Sequence, residues 1–181
     1  MMGLHNLENV IAASALAYNA GVDVETIKYR LITFLGIYRR FQIHTNTSKS
    51  VYIDDYAHHP TELKKTIEAV RSHFPGRHLT VIFQPHLYSR TQDQQEGFRV
   101  ELNKADRLIL LPIYAAREKQ LDGFNTQSLF EKISHPHAET STKNSIFDKL
   151  KGHPVDVLLS VGAGDIDLLV PSLKKWSSKY A

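Results

Sequence analysis

Four short, almost uninterrupted apolar runs dominate the sequence: Val51-Tyr52-Ile53, Leu79-Thr80-Val81-Ile82-Phe83, Leu108-Ile109-Leu110-Leu111 and the stretch from Val155 to Val161. A strand without polar alternation has no face to offer water, so it must be covered on both sides. Between the runs lie stretches with helical spacing. After Pro60, Leu63, Ile67, Val70 and Phe74 share one face, and Pro75-Gly76 ends the pattern. Further helices are expected over about residues 90–105, near 126–133 and over 144–151. Gly162-Ala163-Gly164-Asp165 opens the last one. Strands alternating with helices imply an α/β fold: a Rossmann-like, mostly parallel sheet of about six strands with helices on both faces. The segment Phe41 to His44 pairs naturally with Val51 to Ile53 around Asn46-Thr47-Ser48, which would add one antiparallel strand at an edge.

A different pattern precedes this alternation. Residues 4–20 read as a helix stopped by Gly21, and Asp23 starts a second one whose apolar stripe is Ile27, Leu31, Ile32 and Leu35, ended by Gly36. No strand accompanies them. The expected organisation is therefore a helical segment over residues 1–37 and an α/β domain over 38–181.

Composition excludes several classes of function. The 181 residues include no cysteine, so disulfides and thiolate metal sites are ruled out. No apolar run approaches the ~20 residues that span a bilayer, and the N-terminus does not read as a secretory signal. A cytoplasmic protein is expected. The formal net charge is +3, with both signs alternating and the basic stretches confined to pairs such as Arg39-Arg40. Nucleic-acid binding gains no support, whereas a small anionic ligand fits a mild positive excess.

Polar residues cluster where the apolar runs end. Asp54-Asp55-Tyr56-Ala57-His58-His59 follows the first run, and Gln84-Pro85-His86-Leu87-Tyr88-Ser89-Arg90 follows the second. Pro112 to Glu118 and Gly162 to Asp165 follow the third and fourth. The carboxyl ends of parallel strands form the rim where open α/β sheets bind ligands, so these four loops should meet along one edge. Histidine changes charge near neutral pH and an adjacent carboxylate can orient it. Arg90, at a helix start, is an unfavourable cation unless it faces an anion. The glycine turn at 162–164 is equally an ordinary strand–helix connection, Asn6 can serve merely as a helix cap, and Pro60 suits a first helical residue with His59 at or near the cap.

These residues also resemble a known family. Asp54-Asp55-Tyr56-Ala57-His58-His59-Pro60-Thr61-Glu62 and Gln84-Pro85-His86-Leu87-Tyr88-Ser89-Arg90-Thr91 are similar to two signatures of the Mur ligases, in their muramate:L-alanine branch. Gly3-Leu4-His5-Asn6 with Asn9, Arg39-Arg40-Phe41, Tyr114-Ala115-Ala116 with Glu118, and Gly162 to Ile166 fit as well. The resemblance implies the C-terminal domain of an ATP-dependent amide ligase that joins L-alanine to UDP-N-acetylmuramate in peptidoglycan synthesis, through an acyl-phosphate and with Mg²⁺ on the phosphates. It implies that His5, Asn6 and Asn9 lie near adenine, and that Arg40 and Asp55 lie on the ribose and phosphate side. It implies too that Tyr56, His58, His86 and Arg90 line the amino-acid end, with His58, His86 and Arg90 as the catalytic set and Tyr56, His58 and Arg90 holding substrate.

Two positions depart from the pattern. Leu87 stands where many members carry a second basic residue, and Arg117 where a small residue is common. The family's phosphate loop, G-x-x-x-x-G-K-[ST], has no counterpart, since no Gly here precedes Lys. That loop and the UDP-binding domain are expected in other parts of a longer protein, so ATP and Mg²⁺ would be held mainly there, with no metal ligand in this chain. Two other readings stay open at this stage. One is a metal-dependent hydrolase using Asp54, Asp55, His58 and His59, with Asp165 as a further ligand. The other is a non-catalytic domain that binds a nucleotide or a partner protein. Oligomeric state is left open.

Overall fold

Each apolar run becomes a strand, and all lie in one sheet. The computed structural model describes residues 4–152 and 155–180. In chain order the strands are β1 (Gln42–Asn46), β2 (Val51–Asp55), β3 (Leu79–Phe83), β4 (Arg107–Leu110), β5 (Ala138–Thr140) and β6 (Val157–Val161). The sheet order is β1-β2-β6-β3-β4-β5, with β1 antiparallel to β2 and all other pairs parallel. Strands β2, β3, β4 and β6 are buried along their whole length, as their sequences require.

Period-two alternation sends neighbouring side chains to opposite faces. Val51, Ile53, Val81 and Phe83 join one core with Leu63, Ile67 and Val70 of α3 (Pro60–His73), Phe98 and Leu102 of α5 (Gln95–Leu102), and Leu129 and Ile133 of α6 (Thr126–Ile133). Tyr52, Ile82, Ile109 and Leu158 join the other, with Ile146 and Leu150 of α7 (Ile146–Leu150) and Leu173 of α8 (Val170–Ser177). Each fully buried Leu, Ile or Phe contributes about 1.5–3 kcal/mol.

Three expectations need correction. The helix expected over 90–105 is two: α4 (Tyr88–Asp93) and α5, separated at Gln94, whose φ of −106° and ψ of 14° leave the helical region. The bend lets α5 lie against α3, where a Cβ on Gly97 would sit 2.8 Å from the Pro60 ring. The last helix starts late. Residues Asp165–Leu169 form a 3-10 turn, and α8 follows with Pro171 in its first turn, the position where a missing N–H is harmless. The sequence reading also missed β5, a three-residue edge strand without an apolar run.

Before the sheet, α1 (Leu4–Asn19) and α2 (Val24–Thr33) form a helical hairpin. Asp23 caps α2 by accepting from the Thr26 N–H at 2.9 Å. No residue of α2 is buried, and Ile32 and Leu35 are 85% and 102% exposed.

The segment joining hairpin to sheet is held by charge. Arg39 is 4% exposed; its Nε donates to Asp54 Oδ2 at 2.8 Å and its Nη2 to the Gly162 carbonyl at 2.7 Å. Ser160 donates to Asp54 Oδ1 at 2.7 Å, and the Tyr52 hydroxyl, whose pKa burial drives well above the ordinary phenol range, lies 2.9 Å from Ser160 Oγ. A buried ion pair is weak evidence of net stability, but removing one partner strands the other charge. Arg39→Ala should therefore lower unfolding free energy by about 3–5 kcal/mol in urea denaturation, while Arg39→Met combined with Asp54→Leu should cost clearly less. A single variant within about 1 kcal/mol of wild type contradicts this role.

Candidate functional site

Register places the four polar loops together. Asp55 pairs with Val161, Val161 with Phe83, and Phe83 with Leu110, so β2, β6, β3 and β4 all end at one level. The sheet order puts the late strand β6 between β2 and β3, and the loops after all four strands share one edge.

At one end of that edge, Asn6 and Asn9 of α1 face Arg40 and Asp55 across a cleft of about 350 Å³, with Lys65 and Thr66 of α3 on its wall. Backbone geometry presents Arg40. Its neighbours Arg39 and Phe41 both have left-handed φ, 55° and 47°, which L-residues adopt at a cost. Asp55 and β2 hold this bend: Asp55 Oδ2 accepts the Phe41 N–H at 2.7 Å, and the Tyr56 N–H donates to the Arg39 carbonyl at 2.7 Å. Asp55 Oδ1 accepts the Ala57 N–H at 2.7 Å. Each carboxylate oxygen keeps a second lone pair, so Asp55 can still accept from a ligand hydroxyl. Burial pushes its pKa up to about 6 against the pull of these two N–H groups and Arg40.

The rest of the edge is a chain of rings. The guanidinium carbons of Arg39 and Arg40 each lie 5.5 Å from the Tyr56 ring centre. Tyr56 meets His58 edge-on at 5.4 Å, His58 meets His86 at 5.9 Å, and His86 stacks on Tyr114 at 5.8 Å. Arg90 Nη1 lies 3.4 Å from His86 Nδ1. Burial, then the positive charge of Arg90, holds the His86 pKa below the usual imidazole range. A neutral His86 that accepts from Arg90 at Nδ1 carries its proton on Nε2. His58 Nδ1 lies 3.0 Å from the Tyr56 carbonyl, which can only accept, so a neutral His58 keeps its lone pair on Nε2. In these tautomers one ring carries a free donor and its neighbour a free acceptor. Across the edge, the Ser89 N–H and hydroxyl both bond Glu118, which ties α4 to the loop after β4.

The structure therefore gathers Asn6, Asn9, Arg40 and Asp55 at one cleft, and Tyr56, His58, His86 and Arg90 beside it. The expectation for His5 concerns a side chain outside the described residues. Asp54 does not join either group, since it lies within β2 and spends its oxygens on Arg39 and Ser160. His59 is the N-cap of α3, accepting from the Thr61 N–H. Asp165 pairs with Lys143 and accepts from Gln84 Nε2 at 2.8 Å, while Gln84 Oε1 accepts the Ile166 N–H. These bonds dispose of the metal-hydrolase reading, whose carboxylates serve as braces; among the described residues no three His, Asp or Glu side chains converge on a metal position. The glycine turn serves contact, because a Cβ on Gly164 would meet Gln84 Oε1 at 2.5 Å and Tyr114 at 2.6 Å. Sequence reasoning missed Lys65 and Thr66. Their spacing from Glu62 puts all three along one side of α3, with Thr66 buried at the border of the apolar stripe that conceals the signal.

Residues 39–173 match the family described as the Mur ligase, glutamate ligase domain. The chain belongs to the Mur ligase family. Among its relatives, the UDP-N-acetylmuramate–L-alanine ligase of Flavobacterium johnsoniae is 41% identical over 173 residues, covering 96% of this chain and 38% of the relative. The ligase of the same name from Porphyromonas gingivalis W83 is 44% identical over 172 residues, covering 94% of this chain and 38% of the relative. A solved UDP-N-acetylmuramate–alanine ligase from Thermotoga maritima superposes with a TM-score of 0.77 at 26% identity, covering 99% of this chain and 39% of that one. This Mur ligase chain thus spans well under half the length of the relatives it matches. No helix among its described residues is long and apolar enough to cross a membrane.

Asp55 gives this Mur ligase domain a pH signature. Its pKa rises from the ordinary 3.8 to about 6, so between these values the folded state keeps a proton that the unfolded chain has lost. Stability from this group is full at low pH and falls as pH rises through 6. The loss is on the order of 2–3 kcal/mol. Comparing urea denaturation of wild type and Asp55→Asn from pH 4 to 7 should show the decline in wild type only. Parallel curves would remove Asp55 as its source.

Proposed function

We propose that this chain forms the C-terminal part of a cytoplasmic, ATP-dependent ligase that joins L-alanine to UDP-N-acetylmuramate in peptidoglycan synthesis. The division falls after residue 37, with α1 and α2 belonging to the central, ATP-binding part of the longer protein. The observation that carries the reading is the continuous path from the Asn6–Asn9–Arg40–Asp55 cleft through Tyr56 to His58, His86 and Arg90. It joins that cleft to a cationic, imidazole-rich stretch of the same sheet edge.

The cleft suits the nucleoside half of ATP. Its volume, about 350 Å³, is near the lower end of small-molecule pockets, and its lining mixes amide groups with two carboxylates, Asp55 and Glu62, and two cations. In this reading Asn6 and Asn9 hydrogen-bond the adenine edge, and Asp55 accepts a ribose hydroxyl through its remaining lone pairs. Arg40, exposed and stacked on Tyr56, meets the phosphate side. ATP supplies the phosphoryl group that activates the muramoyl carboxylate. Mg²⁺ belongs with the phosphates, and no ligand for it is assigned to this chain.

At the other end of the path, Arg90 has one long bond to His86 and no other side-chain partner among the described residues, which leaves its fork free for the alanine carboxylate. His58 Nε2 accepts the proton that the alanine ammonium must lose before its nitrogen can attack. His86 Nε2–H donates to the oxygen on which charge develops. With Leu87 apolar, Arg90 carries this anion without a basic residue at position 87.

The lysine and amides of a phosphate loop are absent from these residues, so this chain incubated with ATP, UDP-N-acetylmuramate and L-alanine should release phosphate only at background. In a full-length ligase carrying this domain, Arg90→Ala should raise KM for L-alanine by roughly 10²-fold, the worth of a charge-assisted bidentate pair. Turnover by the purified chain alone that Arg90→Ala abolishes would overturn the division of labour. An unchanged KM in the full-length variant would leave the chain a non-catalytic nucleotide-binding domain.

A further inference from the structure

The opposite edge of the sheet carries a second recess, unconnected with the chemistry above. A cleft of about 870 Å³ opens where β3, β4, β5 and β6 begin. Five-residue strands at ~3.3 Å per residue put it roughly 15 Å from the edge that holds Asp55 and His86.

Two of its lining residues are incompletely bonded. Thr80 on β3 and Arg107 on β4 are register partners, so their side chains stand side by side on one face. They are 1% and 8% exposed. Arg107 Nη2 donates to Glu139 Oε1 at 2.5 Å and to the Lys149 carbonyl at 2.6 Å. Arg107 Nη1 and Thr80 Oγ1 are both enclosed and have no hydrogen-bond partner. A buried guanidinium edge and a buried hydroxyl left without an acceptor both cost stability. One acceptor seated between the adjacent side chains satisfies both.

The surrounding charge selects the acceptor. All three carboxylates at the cleft already hold cations: Asp106 pairs with Arg71 at 3.0 Å, Asp156 with Arg77, and Glu139 with Arg107 and with Lys149 at 2.9 Å. Lys49, exposed on the rim, has no ion-pair partner among the described residues. His78 and His137 stand on the same rim and can donate. Three carboxylates and two cations, Lys49 and Arg107, line the cleft, but Arg71, Arg77 and Lys149 help to pair every one of those carboxylates, so none is left unpaired beside the two donors that lack an acceptor.

We propose that this cleft is a second binding site, for a phosphate group, with Arg107 Nη1 and Thr80 Oγ1 as its inner donors and Lys49 as its outer cation. An ionised phosphate presents several strong acceptor oxygens, so one can bridge Arg107 and Thr80 while another faces Lys49. The volume leaves room for a phosphorylated small molecule rather than the bare ion. This inference does not rest on the ligase reading.

The test is a titration of the ¹⁵N-labelled chain with sodium phosphate, ionic strength held constant with sodium chloride. Amide shifts at Thr80, Arg107 and Glu139 should saturate, while those at Asp55 and His86 stay still. Thr80→Val keeps the shape and removes the donor; it should weaken binding about tenfold, and Lys49→Ala, on the surface, should weaken it as well. Arg107→Met should abolish the saturation; if that variant fails to fold, the other two decide. Shifts that never saturate, or that are unchanged in Thr80→Val and Lys49→Ala, would mean an adventitious ion only and overturn the proposal.

Discussion

Two consecutive carboxylates at the end of β2 organise this molecule. Asp54 holds the side chain of Arg39, and Asp55 holds the backbone of Phe41. Between them they fasten the segment that leads from the helical hairpin to the sheet. Arg39 also reaches the Gly162 carbonyl, which ties that segment to the turn after β6. Residues 39 and 41 pay for their left-handed backbone with these bonds, and the result is an outward Arg40 between two fixed neighbours. Both parts of the candidate site depend on this arrangement. Arg40 and Asp55 line the cleft, and Tyr56, stacked beneath both arginines, begins the path to His58 and His86.

Most of the fold was legible because buried parallel strands cannot disguise themselves. The runs at 79–83 and 108–111 have no polar face, and the loops that follow them had to share an edge. What escaped notice was of two kinds. Strand β5 pairs only along one side, so Ala138, Glu139 and Thr140 need no apolar pattern. The break at Gln94 answers to the approach of α5 to α3, a tertiary demand with no local signal in the sequence beyond Gly97.

The roles of Asp54 and Asp55 show where motif reading ends. As a motif they are one acidic pair. As strand residues they point to opposite faces, so one is a buried brace and the other borders a cleft. The brace was unreadable because its partner, Arg39, lies 15 residues earlier and, next to Arg40, carries no local mark of burial. Family resemblance pointed to these loops, but only the bonding of each oxygen separates the groups that brace the loops from those left open. The same distinction applies to Gln84 and Asp165, which link loops rather than line a metal centre.

The central claim is that Arg40, presented by the Arg39–Asp54 brace, forms with Asp55, Asn6 and Asn9 the half of a nucleotide site that this chain carries. Calorimetric titration with ADP tests it most directly. The account predicts weak, saturable binding that Arg40→Ala abolishes and that Lys143→Ala, at the far loop, leaves intact. Binding that survives Arg40→Ala unchanged, or an absence of binding by the wild-type chain, would contradict it.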